Sequence, residues 1–207
     1  MTRRRVACRC FLFFMSYLHR NSQKRFYGSD KIYFIVTKTF KNYPYFKEPI
    51  FCELFIEELK ICKQLKQFKL YGFCIIYDHL NLLIQPNEKY NISNVMQAIK
   101  KETSRDINRI ILNNIEGDIP ECRLHECRLQ ARGLIAKFQN QFIKKYKNNE
   151  WPEFRWQKSF HDHVIRNKKD FINHYNYTVY NFIKHNLSEN WRYTSLNYEE
   201  LIDEINF

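Results

Sequence analysis

The sequence predicts an α+β domain in which a ferredoxin-like βαββαβ antiparallel sheet carries helices on one face and is followed by a further helix. Two observations predict this fold. Apolar, β-branched runs alternate along the chain with stretches of helical periodicity, in that order. The 207 residues are 44% hydrophobic but include only 4 Gly and 5 Pro, which is typical of a packed globular domain.

The first half of the pattern contains three strands and two helices. Residues 31–40 are rich in β-branched and aromatic side chains and predict a strand. Apolar residues at helical spacing predict an amphipathic helix over 50–68, and two apolar runs at 70–77 and 80–85 predict a pair of antiparallel strands. Ser93 is the expected N-cap of a helix over 94–112.

The second half begins with a segment of different character. Residues 121–125 and 126–130 nearly duplicate each other, so we interpret 113–150 as an insertion. Cys122, His125 and Cys127 have metal-ligating side chains, but the duplication alone also explains the repeated cysteine. The order then resumes with a strand or strand pair over 154–157 and 160–165 and a final helix over 169–186.

The domain is expected to extend over residues 17–195, with 1–16 a leader outside the fold and 196–207 a tail. Residues 1–14 begin like a signal peptide, but Arg9 interrupts their apolar stretch, and seven scattered cysteines are typical of reduced, buried thiols. No run approaches the roughly 18 apolar residues of a membrane span. We therefore expect a cytoplasmic protein with no membrane partner.

The charge indicates a polyanionic partner. Lys and Arg number 34 against 22 Asp and Glu, a net charge of +12, and nucleic acid is the default partner of such a chain. An alternative is a structural protein whose basic, aromatic composition reflects AT-rich codons alone.

Two pairs of side chains outline a site that suits attack on a phosphodiester. Tyr177 and Asn181 are spaced i and i+4, so in a helix they share one face. His79 and Asn81 share one face of a strand. A phenol nucleophile beside ligands for a cation fits this chemistry, because cleavage needs both an attacking oxygen and positive charge on the phosphate oxygens.

Three motifs, Tyr77–Ile84, Trp156–Arg166 and Tyr177–His185, resemble in order those of the REP-associated tyrosine transposases, an IS200-like branch of the single-tyrosine HUH nuclease superfamily. The resemblance implies that Tyr177 attacks single-stranded DNA beside a REP-like hairpin, forming a 5′-phosphotyrosine intermediate and later rejoining the strand. It also implies that His79, Asn81 and Asn181 hold a divalent cation. One imidazole and two amide oxygens suit Mg²⁺ or Mn²⁺.

This chain departs from the family pattern at two positions. Asn81 stands where the family has a second histidine, and Phe182 where it usually has proline. The first change keeps open an alternative, a catalytically decayed or domesticated protein that only binds hairpin DNA or RNA. Relatives include monomers and dimers that exchange their tyrosine helices, so a homodimer is also open.

Further residues are candidates for DNA contact or for support of the site. His161 and His163 form the chain's literal His-x-His and are expected to orient DNA or the tyrosine, with primary metal ligation as the alternative. The expected DNA-binding residues are basic or aromatic and comprise Lys100, Lys101, Arg105, Arg109, Trp156, Lys158, Arg166 and Lys184.

Overall fold

The structure is a computed structural model that describes residues 27–28, 30–113, 125–147 and 151–205, with the side chains of 125–132 left out of the description. Its strands are β1 (Tyr33–Lys38), β2 (Lys69–Ile76), β3 (His79–Gln85) and β4 (His161–Val164). Its helices are α1 (Pro49–Lys66), α2 (Ile92–Ile111), α3 (His125–Lys145), α4 (Lys168–Val179) and α5 (Asn181–Lys184). The predicted leader and Cys122 lie outside the described residues.

The four strands form one antiparallel sheet in the order β2-β3-β1-β4. With α1 between β1 and β2, and α2 and α3 between β3 and β4, this is the βαββαβ arrangement. The predicted α+β fold is confirmed. The pairing register places Val36 opposite Asn81 and Asn81 opposite Cys74, so these three residues lie in one row across the sheet.

The main hydrophobic core lies between one face of the sheet and helices α1, α2 and α3. Alternate strand residues such as Tyr33, Ile35 and Leu82 supply the sheet side of this core. The opposite face of the sheet is covered by α4 and α5 through two smaller clusters, one around Phe34 and Phe171 and one around Cys74, Ile76 and Phe182. A strand presents alternate residues to opposite faces, which explains how one sheet supports both layers.

Helix α3, inside the predicted insertion, contributes to the main core. Ile135, Phe138 and Phe142 are buried there, and Phe142 packs against Phe51 of α1 with ring centroids 5.4 Å apart. Lys145 at the end of α3 pairs with the buried Glu48 at 2.7 Å. These contacts make α3 a third helix of the layer that α1 and α2 form.

Three local predictions were wrong in detail. Helix α2 is capped by Asn91, whose side chain and that of Asn94 bond reciprocally to backbone N–H groups, and Ser93 lies inside the first turn. Residues 154–157 form no strand, because Trp156 makes only an isolated bridge to Thr39. The final helix is interrupted at Tyr180, where α4 ends and α5 begins.

The residues expected to form a tail pack onto the β2 edge of the sheet. The backbone N–H of Asp203 donates to the Leu70 carbonyl at 2.8 Å, and the Asp203 carboxylate accepts from the Leu70 N–H and from Lys63. Just before the predicted tail, Thr194 forms an isolated bridge with Cys74 of β2. No helix within the described residues is long and apolar enough to cross a membrane.

Candidate functional site

His79 stands at the start of β3, on the sheet face that α4 and α5 cover. Its Nδ1 lies 2.6 Å from the Asp78 carboxylate, and its Nε2 lies 3.3 Å from Nδ2 of Asn181. A carboxylate accepts hydrogen bonds, so Nδ1 carries the proton and Nε2 accepts from the amide. The structure therefore orients His79 as a histidine whose Nε2 lone pair points toward Asn181.

The surroundings of His79 favour the neutral imidazole. Burial lowers its pKa, an effect only partly opposed by the hydrogen bond from Nδ1 to Asp78, and His185 and Lys38 lower it further. The ring of His185 lies 4.7 Å from that of His79. A neutral imidazole backed by a carboxylate is the form that ligates metal ions.

The two asparagines beside His79 are almost completely buried, with Asn81 1% and Asn181 2% exposed. Within the described residues, Asn81 Nδ2 and Asn181 Oδ1 have no hydrogen-bond partner. Burying such a group without a partner costs about 1–3 kcal/mol, so its presence calls for an explanation.

A cation would account for the unpartnered Asn181 oxygen. Exchanging the oxygen and nitrogen of the Asn181 amide would bring Oδ1 beside the Nε2 lone pair of His79, and two facing acceptors attract a positive ion. The donor set of one imidazole nitrogen and two amide oxygens fits Mg²⁺ or Mn²⁺. The predicted trio His79, Asn81 and Asn181 is thus a chemically suitable cation site.

Tyr177 differs from this trio because its side chain is 42% exposed. Its hydroxyl accepts a hydrogen bond from Lys184 Nζ at 3.4 Å, and the same ammonium lies 4.8 Å from the centre of the ring. The ring packs edge-on against Phe34 at 5.6 Å. Phe34 is two residues before Val36, the partner of Asn81, so Tyr177 covers the same face of the sheet as the trio.

The relation between Tyr177 and Asn181 is not the one that a continuous helix predicts. Tyr177 belongs to α4 and Asn181 to α5, with Tyr180 between them at φ −103° and ψ 13°. The Thr194 hydroxyl donates to the Val179 carbonyl at 2.7 Å, which satisfies one of the carbonyls at the end of α4. Tyr177, before the break, is exposed, whereas Asn181, after it, is buried.

The predicted DNA-binding residues divide between the two faces of the molecule. Lys184 lies beside Tyr177. Lys158 precedes β4 in the sequence and Arg166 follows it, and both are exposed. The four candidates on α2 lie in the helix layer across the sheet from the trio. A strand of DNA on the Tyr177 face would therefore not meet α2 directly.

Several candidates on that far side already have protein partners. Arg105 and Arg109 donate to the buried carboxylate of Asp106 at 2.8 and 2.9 Å, and Lys100 donates to the Gln157 carbonyl at 2.7 Å. Lys101 is exposed. These ion pairs help to hold α2 in place, and contact of Arg105 and Arg109 with DNA stays a prediction.

Trp156 has the contacts of a packing residue. Its indole N–H donates to the Lys100 carbonyl at 3.1 Å, and its ring packs against Phe46 and Phe154 at 5.7 and 5.0 Å. His161 is exposed on β4, whereas His163 contacts Asp170 and His174 of α4. The register places His161 in the cross-strand row of Asn81, with Val36 of β1 between them.

Sequence reasoning missed Asp78 and His185. Both are immediate neighbours of residues that it singled out, and an aspartate directly before a candidate ligand histidine was the available signal. For His185 the signal was its position four residues after Asn181, the spacing at which side chains share a helical face.

Comparisons with known proteins agree with the motif resemblance. The family model described as "Transposase IS200 like" matches residues 29–117. A curated protein of Haemophilus influenzae, named as a REP-associated tyrosine transposase, is 28% identical over 132 residues, which cover 62% of this chain and 58% of the relative. The chain therefore spans about three fifths of that relative's length.

A solved structure described as a REP-associated tyrosine transposase bound to a REP hairpin has the same fold. It superposes with a TM-score of 0.56 and 16% identity, covering 90% of this chain and 94% of the other. These findings confirm the resemblance predicted from the motifs: the chain is similar to a REP-associated tyrosine transposase in sequence, has the fold of another, and matches the IS200-like transposase family model over residues 29–117.

Proposed function

We propose that this protein is a DNA transposase, a single-strand nuclease and ligase that cleaves and rejoins hairpin-bearing DNA through Tyr177. The observation that carries the proposal is the buried pair of His79 and Asn181, with the Asn181 oxygen lacking a partner, on the sheet face where Tyr177 is exposed. The hairpin is proposed as substrate because the solved relative of the same fold is described as bound to one.

The chemistry assigned to Tyr177 is a reversible transesterification. Its phenol oxygen attacks phosphorus, the bond from phosphorus to the 3′-oxygen breaks, and the proton leaves with that oxygen as a 3′-hydroxyl. The product is a 5′-phosphotyrosine, and attack by another 3′-hydroxyl reverses the step and frees the tyrosine. No external energy source is required, because the number of phosphoester bonds is conserved.

The protein's own groups would assist at both ends of this reaction. The Lys184 ammonium, 3.4 Å from the Tyr177 oxygen, would stabilise negative charge as the phenol loses its proton. Asp78 keeps the proton of His79 on Nδ1 and leaves Nε2 free as a ligand. When bound by His79, Asn81 and Asn181, Mg²⁺ or Mn²⁺ would supply positive charge to the phosphate oxygens.

The test is a denaturing-gel assay with labelled single-stranded hairpin oligonucleotides and Mg²⁺ or Mn²⁺. We expect a slow-migrating, protease-sensitive DNA adduct that Tyr177→Phe abolishes. Tyr180→Phe is the matched control, because Tyr180 is an equally exposed tyrosine three residues away. An adduct that persists in Tyr177→Phe, or one that depends on Tyr180 instead, would refute the assignment of the nucleophile.

Cation binding has its own test in Asp78→Asn. Loss of a carboxylate behind a ligand histidine lowers metal affinity by about 10–100-fold, so Mn²⁺ should bind that much more weakly in calorimetry. Asp30→Asn removes an exposed aspartate and should leave the affinity unchanged. Equal Mn²⁺ affinity in all three proteins would show that His79 is not a ligand.

The second candidate is a protein that binds hairpin DNA or RNA without cleaving it. Asn81 favours it, because an amide replaces the imidazole of the family and its buried nitrogen has no partner within the described residues. Asn81→His distinguishes the two functions. A large gain in adduct would indicate that the remaining chemistry is intact, whereas tight binding with no adduct in either form would establish the binding protein.

A further inference from the structure

A second group of ligand-type side chains lies where β4 meets α4. His163 Nε2 is 3.0 Å from one carboxylate oxygen of Asp170, and His174 Nδ1 is 3.0 Å from the other. One ligand atom from each residue lies within 4.8 Å of the others. We call these three residues the β4–α4 cluster, and it includes none of the residues of the trio around His79.

The geometry of the cluster aims both imidazoles at one carboxylate. The rings of His163 and His174 stack 4.5 Å apart at an interplanar angle of 15°. Without an ion, each ring must direct an N–H at Asp170, and His174 Nδ1 also lies 2.9 Å from the Asp170 backbone carbonyl. A single divalent cation would replace the protons of both rings and bind all three side chains at once.

Neighbouring groups hold the three side chains in position, as is usual around metal ligands. The Arg166 backbone N–H donates to the Asp170 carboxylate at 3.0 Å, and Asn167 caps the helix by accepting from the Asp170 N–H at 2.9 Å. Phe34 packs against the His174 ring at 4.9 Å. The side chains of the cluster are 19–28% exposed, so an ion from solvent can reach them.

We propose that His163, Asp170 and His174 form a second metal site, which takes a borderline transition-metal ion such as Zn²⁺. Two imidazoles and one carboxylate are a donor set for Zn²⁺ that leaves a fourth position for water. This set differs from the amide-rich trio, which suits harder ions. The two sites should therefore select different metals.

The location gives the second site a structural consequence. His174 precedes Tyr177 by three residues, and both rings contact Phe34. The ion would bind His163 of β4 together with Asp170 and His174 of α4. It would therefore cross-link the helix that carries Tyr177 to the edge strand of the sheet. Its effect on DNA cleavage would be one of positioning.

The test uses Co²⁺ as a spectroscopic probe for the Zn²⁺ site in the full chain, after removal of metal with a chelator. We expect one Co²⁺ per chain with visible d–d bands, displaced by Zn²⁺. Affinity should fall at least tenfold in Asp170→Asn and in His174→Ala. The matched control is His161→Ala, because His161 is an exposed histidine on the same strand, and it should bind as the wild type does.

Two further variants separate this site from the others in the chain. The Co²⁺ bands should persist in His79→Ala, because His79 is not part of the β4–α4 cluster. They should also persist in the double variant Cys122→Ser, Cys127→Ser, and no thiolate charge-transfer band should be seen near 350 nm. Bands that vanish in either protein would overturn the proposal, as would unchanged affinity in Asp170→Asn and His174→Ala.

A measurement on the wild type keeps the proposal testable should those variants unfold. Zn²⁺ should protect His163 and His174 from acylation by diethyl pyrocarbonate, read residue by residue by mass spectrometry. His161 serves as the internal control and should react equally with and without Zn²⁺. Equal modification of all three histidines in both conditions would refute the site.

Discussion

The substitution Glu58→Gln should stabilise the protein at neutral pH. Glu58 of α1 is buried against Asp106 of α2, and burial first, then the Asp106 carboxylate, raises the pKa of Glu58 to about 9. The two carboxyls hydrogen-bond to each other, which requires a proton on one of them. Asp106 already accepts from Arg105 and Arg109, so the proton belongs to Glu58.

The size of the effect follows from proton linkage. In the unfolded chain the pKa of Glu58 returns to about 4.5, so between pH 4.5 and 9 the folded protein keeps a proton that the unfolded chain releases. Stability from this group is complete below pH 4.5 and is lost as pH rises toward 9, at roughly 1.4 kcal/mol per unit. Glutamine keeps an N–H donor for Asp106 and does not titrate.

The stability difference between Glu58→Gln and the wild type should therefore grow by about 3 kcal/mol from pH 5.5 to pH 7.5. Urea unfolding followed by fluorescence of the 3 tryptophans measures it at each pH. Glu57→Gln, which alters a partly exposed neighbour, is the control and should show no such growth. If the two variants gave the same pH dependence, the protonated Glu58 would be ruled out.

Two further predictions concern the parts of the fold that sequence analysis described least well. Phe142→Ala should lower the free energy of unfolding by about 3–5 kcal/mol, because the ring is buried between α3 and α1. Ile143→Ala, on the exposed side of α3, should change it by less than about 0.5 kcal/mol. Equal effects of the two variants in urea unfolding would mean that α3 is not part of the core. Asn91→Ala should cost about 1 kcal/mol by removing the cap of α2, and Ser93→Ala should cost less than half of that; the reverse order in thermal unfolding would restore Ser93 as the cap.

The confirmed predictions are those in which the local sequence pattern is compatible with only one type of secondary structure. Strand β3 was expected over 80–85 and lies at His79–Gln85, because its continuous apolar run must be buried on both faces. The cap of α2 was misassigned for a local reason as well. Ser93 and Asn91 are both good caps, and the reciprocal bond from Asn94 decides between them.

At the candidate site, too, local sequence rules predicted some of the arrangement and not the rest. The alternation of a strand predicted that His79 and Asn81 share a face, and the structure agrees, since the helices α4 and α5 cover both. The i and i+4 spacing of Tyr177 and Asn181 assumed one continuous helix, whereas the structure ends α4 at Val179 and begins α5 at Asn181. No local rule could have predicted the break between them.

By itself the sequence determined the order of strands and helices, the α+β class and the identity of the groups available for chemistry, because periodicity and side-chain type are local properties. Tertiary structure alone decided which of those groups meet. The hydroxyl of Thr194 donates to the Val179 carbonyl at the end of α4, next to the break. After the break, Asn181 is buried against His79, whereas Tyr177, before it, is exposed. The pairing of β4 with β1 likewise brings His163 to Asp170 and His174, because contacts between elements depend on packing in three dimensions.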